Sequence, residues 1–117
     1  MNGAAEKLPL HIPLEDARAR LRTASLPFTV LFEYADCSVE LYAPKITDKQ
    51  QPHAQDELYI ISAGTGTFRR EQTVVSFVAG DVLFVPAHIP HRFENFSEDF
   101  ETWVIFFGPK GGSKPQP

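Results

Sequence analysis

The sequence predicts an all-β fold in which two antiparallel sheets close into a barrel or sandwich. Three observations predict it. Between residues 28 and 107, β-branched and aromatic residues gather in eight short runs. Turn-forming residues separate these runs at close intervals. No stretch of helical period falls between them, which argues against a parallel α/β sheet.

The elements follow in order. Residues 1–27 are an N-terminal arm, loose over its first residues. Within it PLEDARARLRT (13–23) is a short helix: Pro13 and Glu15 suit a first turn, and Leu14, Ala17 and Leu21 share a face. The strands are FTVLFEY (28–34), CSVELYA (37–43), ELYIIS (57–62), GTFRR (66–70), TVVSFV (73–78), DVLFVP (81–86), HRFENF (91–96) and FETWVIFF (100–107). Ala35-Asp36, Gly64 with Gly66, Gly80-Asp81 and Ser97-Glu98-Asp99 supply the turns. The barrel therefore occupies 28–108. The tail 109–117 is rich in Gly, Pro and Lys and is expected to be disordered.

Composition limits the partners. The chain has 117 residues, enough for one domain with a core of its own. It is 43% hydrophobic and 22% charged, a globular balance. A formal net charge of −4 without any basic block argues against nucleic acid and anionic membrane, and leaves a small-molecule ligand or a protein partner. Cys37 is the single cysteine, so no intrachain disulfide forms and a reducing compartment is expected. No apolar run approaches the roughly 20 residues of a membrane helix. The start, MNGAAEKLPL, has no signal-peptide apolar core, so the expected location is cytoplasmic. The last strand is apolar on both faces: Trp103, Ile105 and Phe107 on one, Phe100, Val104 and Phe106 on the other. Something must cover the outer face. A second subunit, giving a homodimer, is the expected cover, with the 8–27 arm as competitor.

The chemistry lies at two places. In QQPHAQDELYI (51–61) an extended chain puts Gln51, His53, Gln55, Glu57, Tyr59 and Ile61 on one face. An inward row of that polarity is costly unless paired or bound to metal; the alternative is that 51–56 is an exposed loop with Glu57 solvated. In GDVLFVPAHIPHRFEN (80–95) a second histidine, His91, opens a strand after a turn bracketed by Pro86 and Pro90. His88 on that turn is either an acid–base residue at a pocket mouth or a solvated turn residue. Tyr59, two residues past Glu57 on the same face, is either core or a pocket hydroxyl.

These residues carry a family resemblance. The chain is similar to a single-domain cupin, whose first motif is G(X)5HXH(X)3–4E(X)6G and whose second is G(X)5PXG(X)2H(X)3N. The second is nearly complete in Gly80, Pro86, His91 and Asn95, with His88 where the motif has glycine. Of the first, His53, Glu57 and Gly64 fit; Gln51 stands at the first histidine, and Lys45 at the opening glycine. The resemblance implies a barrel with a divalent metal (Fe, Mn, Ni or Zn) on His53, Glu57 and His91. Gln51 would replace the missing imidazole; in an alternative register Gln55 does so. It implies a small metalloenzyme (an oxygenase, isomerase or lyase) acting on a small polar molecule, with Tyr59 and His88 as candidate catalytic groups. A non-catalytic barrel binding a sugar or metabolite, or a metal-free barrel kept for assembly, are the competing functions.

Overall fold

The computed structural model describes residues 8–113. Among the described residues are one helix, α1 (Leu14–Arg22), and eight strands: β1 (Phe28–Tyr34), β2 (Cys37–Tyr42), β3 (Asp56–Ala63), β4 (Thr65–Arg70), β5 (Thr73–Val78), β6 (Val82–Val85), β7 (His91–Glu94) and β8 (Glu101–Phe107). The protein is mostly β, with its strands in two antiparallel sheets. One has the order β1-β2-β8-β3-β6, the other β5-β4-β7.

Alternation along the strands builds the interior. On β3, Glu57, Tyr59 and Ile61 turn inward and are all but inaccessible to solvent. They meet Phe68 of β4, Phe77 of β5, Val85 of β6, Phe93 of β7 and Val104 of β8, with Phe100 just ahead of β8. Tilted and edge-on contacts join Phe77, Phe93 and Phe100, with ring centroids 4.7–5.5 Å apart. The close packing uses the glycines. Gly64, at φ +90°, passes so near Phe100 that an added Cβ would lie 2.6 Å from its Cα, so no other residue fits there. His88, standing where the second motif has glycine, has φ +66°, the left-handed region that glycine adopts freely.

Helix α1 begins at Pro13, which makes no side-chain cap. Glu15 and Asp16 sit in its first turn and Arg20 and Arg22 in its last, a charge order that suits the helix dipole. Ala17 is fully buried against Leu31 and Leu41, with Trp103 and Val39 packed around them. Arg18 donates to Glu101 at 2.9 and 3.1 Å and so pins the helix to β8. The arm therefore covers the outer face of the sheet over β1, β2 and part of β8. The β3–β6 part keeps Ile60, Val82 and Phe84 exposed. A groove of about 880 Å³ lies at the open end of α1, between Leu21, Leu26, Pro44 and Ile46; it is outside the barrel.

Residues 109–113, expected within the disordered tail, fold back on the barrel rim: Gly111 donates to the Ala54 carbonyl (2.7 Å) and Ser113 to the Asp56 carboxylate (3.0 Å). The rest of the expected loose ends, 1–7 and 114–117, lies outside the described residues. No helix among the described residues is long and apolar enough to cross a membrane.

Candidate metal centre

Three segments bring the site together. Glu57 is the first inward residue of β3, facing Phe106 of β8 on one side and Val85 of β6 on the other. His91 opens β7 opposite Arg70 of β4. His53 lies ahead of β3 in a chain that is not yet a strand. Its carbonyl accepts from the His88 amide (2.7 Å), and its ring meets Phe106 edge-on, centroids 4.7 Å apart. One ligand atom from each of His53, Glu57 and His91 lies within 4.8 Å of the others. The Pro-bracketed turn thus does two things: its backbone holds His53, and its end delivers His91.

The protonation pattern follows from the hydrogen bonds. His91 Nδ1 lies 2.8 Å from the Ile89 carbonyl, which only accepts, so Nδ1 carries the proton in the neutral ring and Nε2 presents a lone pair. Nε2 is 3.2 Å from Glu57 Oε1. The two are near enough for an ion pair, yet Nε2 and both Glu57 oxygens are buried with no hydrogen-bond partner. Burial pushes the His91 imidazole down, but the Glu57 carboxylate and the Ile89 carbonyl more than reverse this and leave it raised. Burial lowers His53, with Glu57 opposing. A carboxylate 1% exposed with both oxygens unpartnered costs several kcal/mol unless a cation neutralises it. Two imidazoles and a carboxylate converging on one point are a donor set that suits Fe, Mn, Ni or Zn. The residues therefore fit a divalent ion.

Of the glutamines expected to join them, neither faces the cluster. Gln51 is exposed. Gln55 turns outward, its amide donating to the Asp36 carbonyl (2.6 Å) and the Gly108 carbonyl (2.9 Å). The reason is backbone geometry: alternation places Gln51 and Gln55 with Glu57 only if the chain is extended from 51, and the strand starts at Asp56. Gln50 is the glutamine beside His53. Its Oε1 lies 3.4 Å from His53 Nε2 and accepts from the Tyr59 hydroxyl at 3.0 Å. Burial first, and Glu57 next, push the Tyr59 phenol well up, so it stays a neutral donor. The His88 side chain is exposed, its backbone being the part that reaches the site.

Two further acids escaped the sequence reading. Asp48, 6% exposed, accepts from the Tyr42 hydroxyl (2.5 Å), the Gln50 amide (3.1 Å), Gln50 Nε2 (2.8 Å) and the Phe93 amide (2.8 Å). Glu40 lies on the barrel side of β2, since Val39 and Leu41 pack toward the helix and Tyr42 into the core. Burial chiefly, then Glu57 and Glu33, raise Glu40 to about 7. Neither acid has a motif, and only the register places them.

Comparison with known proteins bears on the same residues. A family model described as Cupin domain matches residues 38–106. The chain is 36% identical over 99 residues to an uncharacterised protein of Streptomyces coelicolor, covering 83% of this chain and 91% of that one. It is 27% identical over 121 residues to the 1-hydroxy-2-naphthoate 1,2-dioxygenase of Nocardioides sp. strain KP7, covering 89% of this chain but only 31% of the dioxygenase. Among solved structures, a cupin-2 domain protein of Shewanella frigidimarina superposes with a TM-score of 0.65 at 21% identity, over 80% of this chain and 91% of that chain.

Proposed function

Because the chain belongs to the cupin family, we propose that it is a small metalloenzyme whose His53, Glu57 and His91 hold a divalent ion. The supporting observation is the trio of buried atoms, both Glu57 oxygens and His91 Nε2, that have no hydrogen-bond partner and converge with His53. A divalent ion bound there would supply Lewis-acid or dioxygen chemistry. Three protein ligands leave positions for the oxygens of a small polar substrate. The chain's own residues do the rest. The Ile89 carbonyl holds the His91 proton on Nδ1 and keeps Nε2 free to coordinate. Tyr59, Phe106 and Phe68 wall the interior and limit water beside the ligands. The likeness to the Nocardioides dioxygenase favours oxygen chemistry over isomerase or lyase reactions.

The test is metal content after purification without chelator, followed by oxygen uptake with hydroxylated aromatic acids. We expect about one equivalent of metal in the native protein, and loss of binding in His53→Ala and in His91→Ala. A metal-free native protein, or variants that bind as well as it does, would defeat the reading. A metal-loaded protein that binds a sugar or metabolite and turns nothing over would establish the binding module instead.

The exposed Ile60, Val82 and Phe84 on the β3–β6 face, beyond the reach of α1, support a homodimer formed there. Light scattering should give twice the mass of one chain at micromolar concentration; a monomer refutes it.

A further inference from the structure

Resting on the metal-site reading above, we propose that the Gln50 side-chain oxygen is the fourth protein donor of the centre, with Asp48 as the positioning residue that aims it. Three observations carry this. First, the orientation of the amide is settled by its neighbours. Gln50 Nε2 is 2.8 Å from Asp48 Oδ2. Asp48 takes four donors, so its oxygens act as acceptors and the group facing them must be the NH₂. The oxygen is therefore the atom that faces the site.

Second, that oxygen has a lone pair to spare. The Tyr59 hydroxyl uses one at 3.0 Å. The contact to His53 Nε2 is 3.4 Å, longer than the usual range for an N–H···O bond. A weak contact between two potential donor atoms is the arrangement expected when both face a shared third point. Third, the anchor is built for precision. Asp48 bonds the Tyr42 hydroxyl on β2 and the Phe93 amide on β7, so it ties the glutamine to both sheets. Phe93 is two residues from His91 on the same strand. Any shift of β7 moves the histidine and the glutamine anchor together.

A neutral amide oxygen in place of an imidazole makes a harder, weaker donor. The centre should accordingly favour ions content with mixed N and O ligands and release metal more readily than an all-imidazole site.

The test uses the full chain, stripped with chelator and titrated with Co(II). Affinity is read by competition with a chromophoric chelator, and ligation by the visible d–d absorption. Gln50→Ala should weaken Co(II) on the order of tenfold to a hundredfold and move the d–d bands. Gln50→Glu, which keeps an oxygen at that place, should restore binding, and Gln51→Ala should leave affinity and spectrum unchanged. Asp48→Asn should also shift the bands, because an amide there lets the glutamine turn over. Should that variant fail to fold, Gln50→Glu and Gln51→Ala still decide the matter. The proposal is overturned if Gln50→Ala leaves the bands in place, whether or not affinity falls, or if Gln51→Ala causes the loss. It is overturned alone, with the metal-site reading intact, when His53→Ala abolishes binding and Gln50→Ala leaves the d–d bands unmoved. A wild-type chain that takes up no Co(II) removes both.

Discussion

Asp48 and Glu57 are both carboxylates in the barrel interior, 6% and 1% exposed, and their surroundings are opposite. Asp48 sits in a region where every neighbour donates: a phenol, a side-chain amide and two backbone amides. Around Glu57 stand His91 Nε2, 3.2 Å from Oε1, and aromatic or aliphatic side chains, and neither oxygen has a hydrogen-bond partner. The same functional group is satisfied in one region and left open in the other. Burial alone therefore does not mark a working acid. What distinguishes the two is whether the protein completes the hydrogen bonds itself, because an uncompensated buried charge survives only if something outside the chain offsets its cost.

The sharpest way to break this contrast is to remove each acid from metal-free protein. Asp48→Ala strands the Tyr42 hydroxyl and the Phe93 amide inside the barrel, at 1–3 kcal/mol each, and we expect a loss of about 3–5 kcal/mol in denaturant unfolding. Glu57→Leu removes a carboxylate that no hydrogen bond satisfies. Its metal-free stability should hold or rise by up to about 2 kcal/mol, while metal no longer stabilises it. If Glu57→Leu proves as damaging as Asp48→Ala, the two regions do not differ in the way the hydrogen bonds indicate.

A smaller effect sharpens the picture from a third acid. Glu40 has no hydrogen-bonded cation, and burial raises it from 4.5 to about 7. Folding thus favours its protonated form. The stability this gives is complete below about pH 4.5 and is lost as pH rises through 7, because the unfolded chain releases the proton first. Since Glu40 is only partly buried, solvent screening trims the effect to on the order of 1 kcal/mol. In metal-free protein, Glu40→Gln should melt higher than wild type above pH 7, with the gap closing toward pH 4.5. A gap that does not change with pH would show that Glu40 behaves as a surface acid.

How much of this was legible in the sequence differs between strands and loops. All eight strands declared themselves, because two-residue alternation and turn residues are local signals. Glu57 and His91 could be placed on the barrel side because each lies in or at the start of a strand, where parity fixes direction. The side chain proposed as the fourth donor could not. Parity has no meaning across 48–55, where the chain is irregular, and motif spacing pointed to Gln51 while the backbone turns Gln50 inward. Asp48 was invisible for the same reason: its donors come from Tyr42 and Phe93, on strands six and 45 residues away. For the cover of β8 the sequence favoured a second subunit over the 8–27 arm. The helix takes the Trp103 side, as an amphipathic segment with Ala17 and Leu21 on one face can, and leaves the β3–β6 side bare.

One feature of the topology bears on how the molecule comes into being. β8 lies between β2 and β3 in the larger sheet, although it is the last strand among the described residues. Until residue 107 has been synthesised, β2 and β3 have no strand to join them, and the inward wall that presents Glu57 is split in two. A nascent chain can make the β1–β2 and β4–β5 hairpins early, since their partners are local. The barrel closes only when the final strand slides into the gap. Its assembly is thus governed by its slowest, most distant pairing, and the two exposed strand edges that wait for β8 are the stage at which a growing chain is most open to the wrong neighbour.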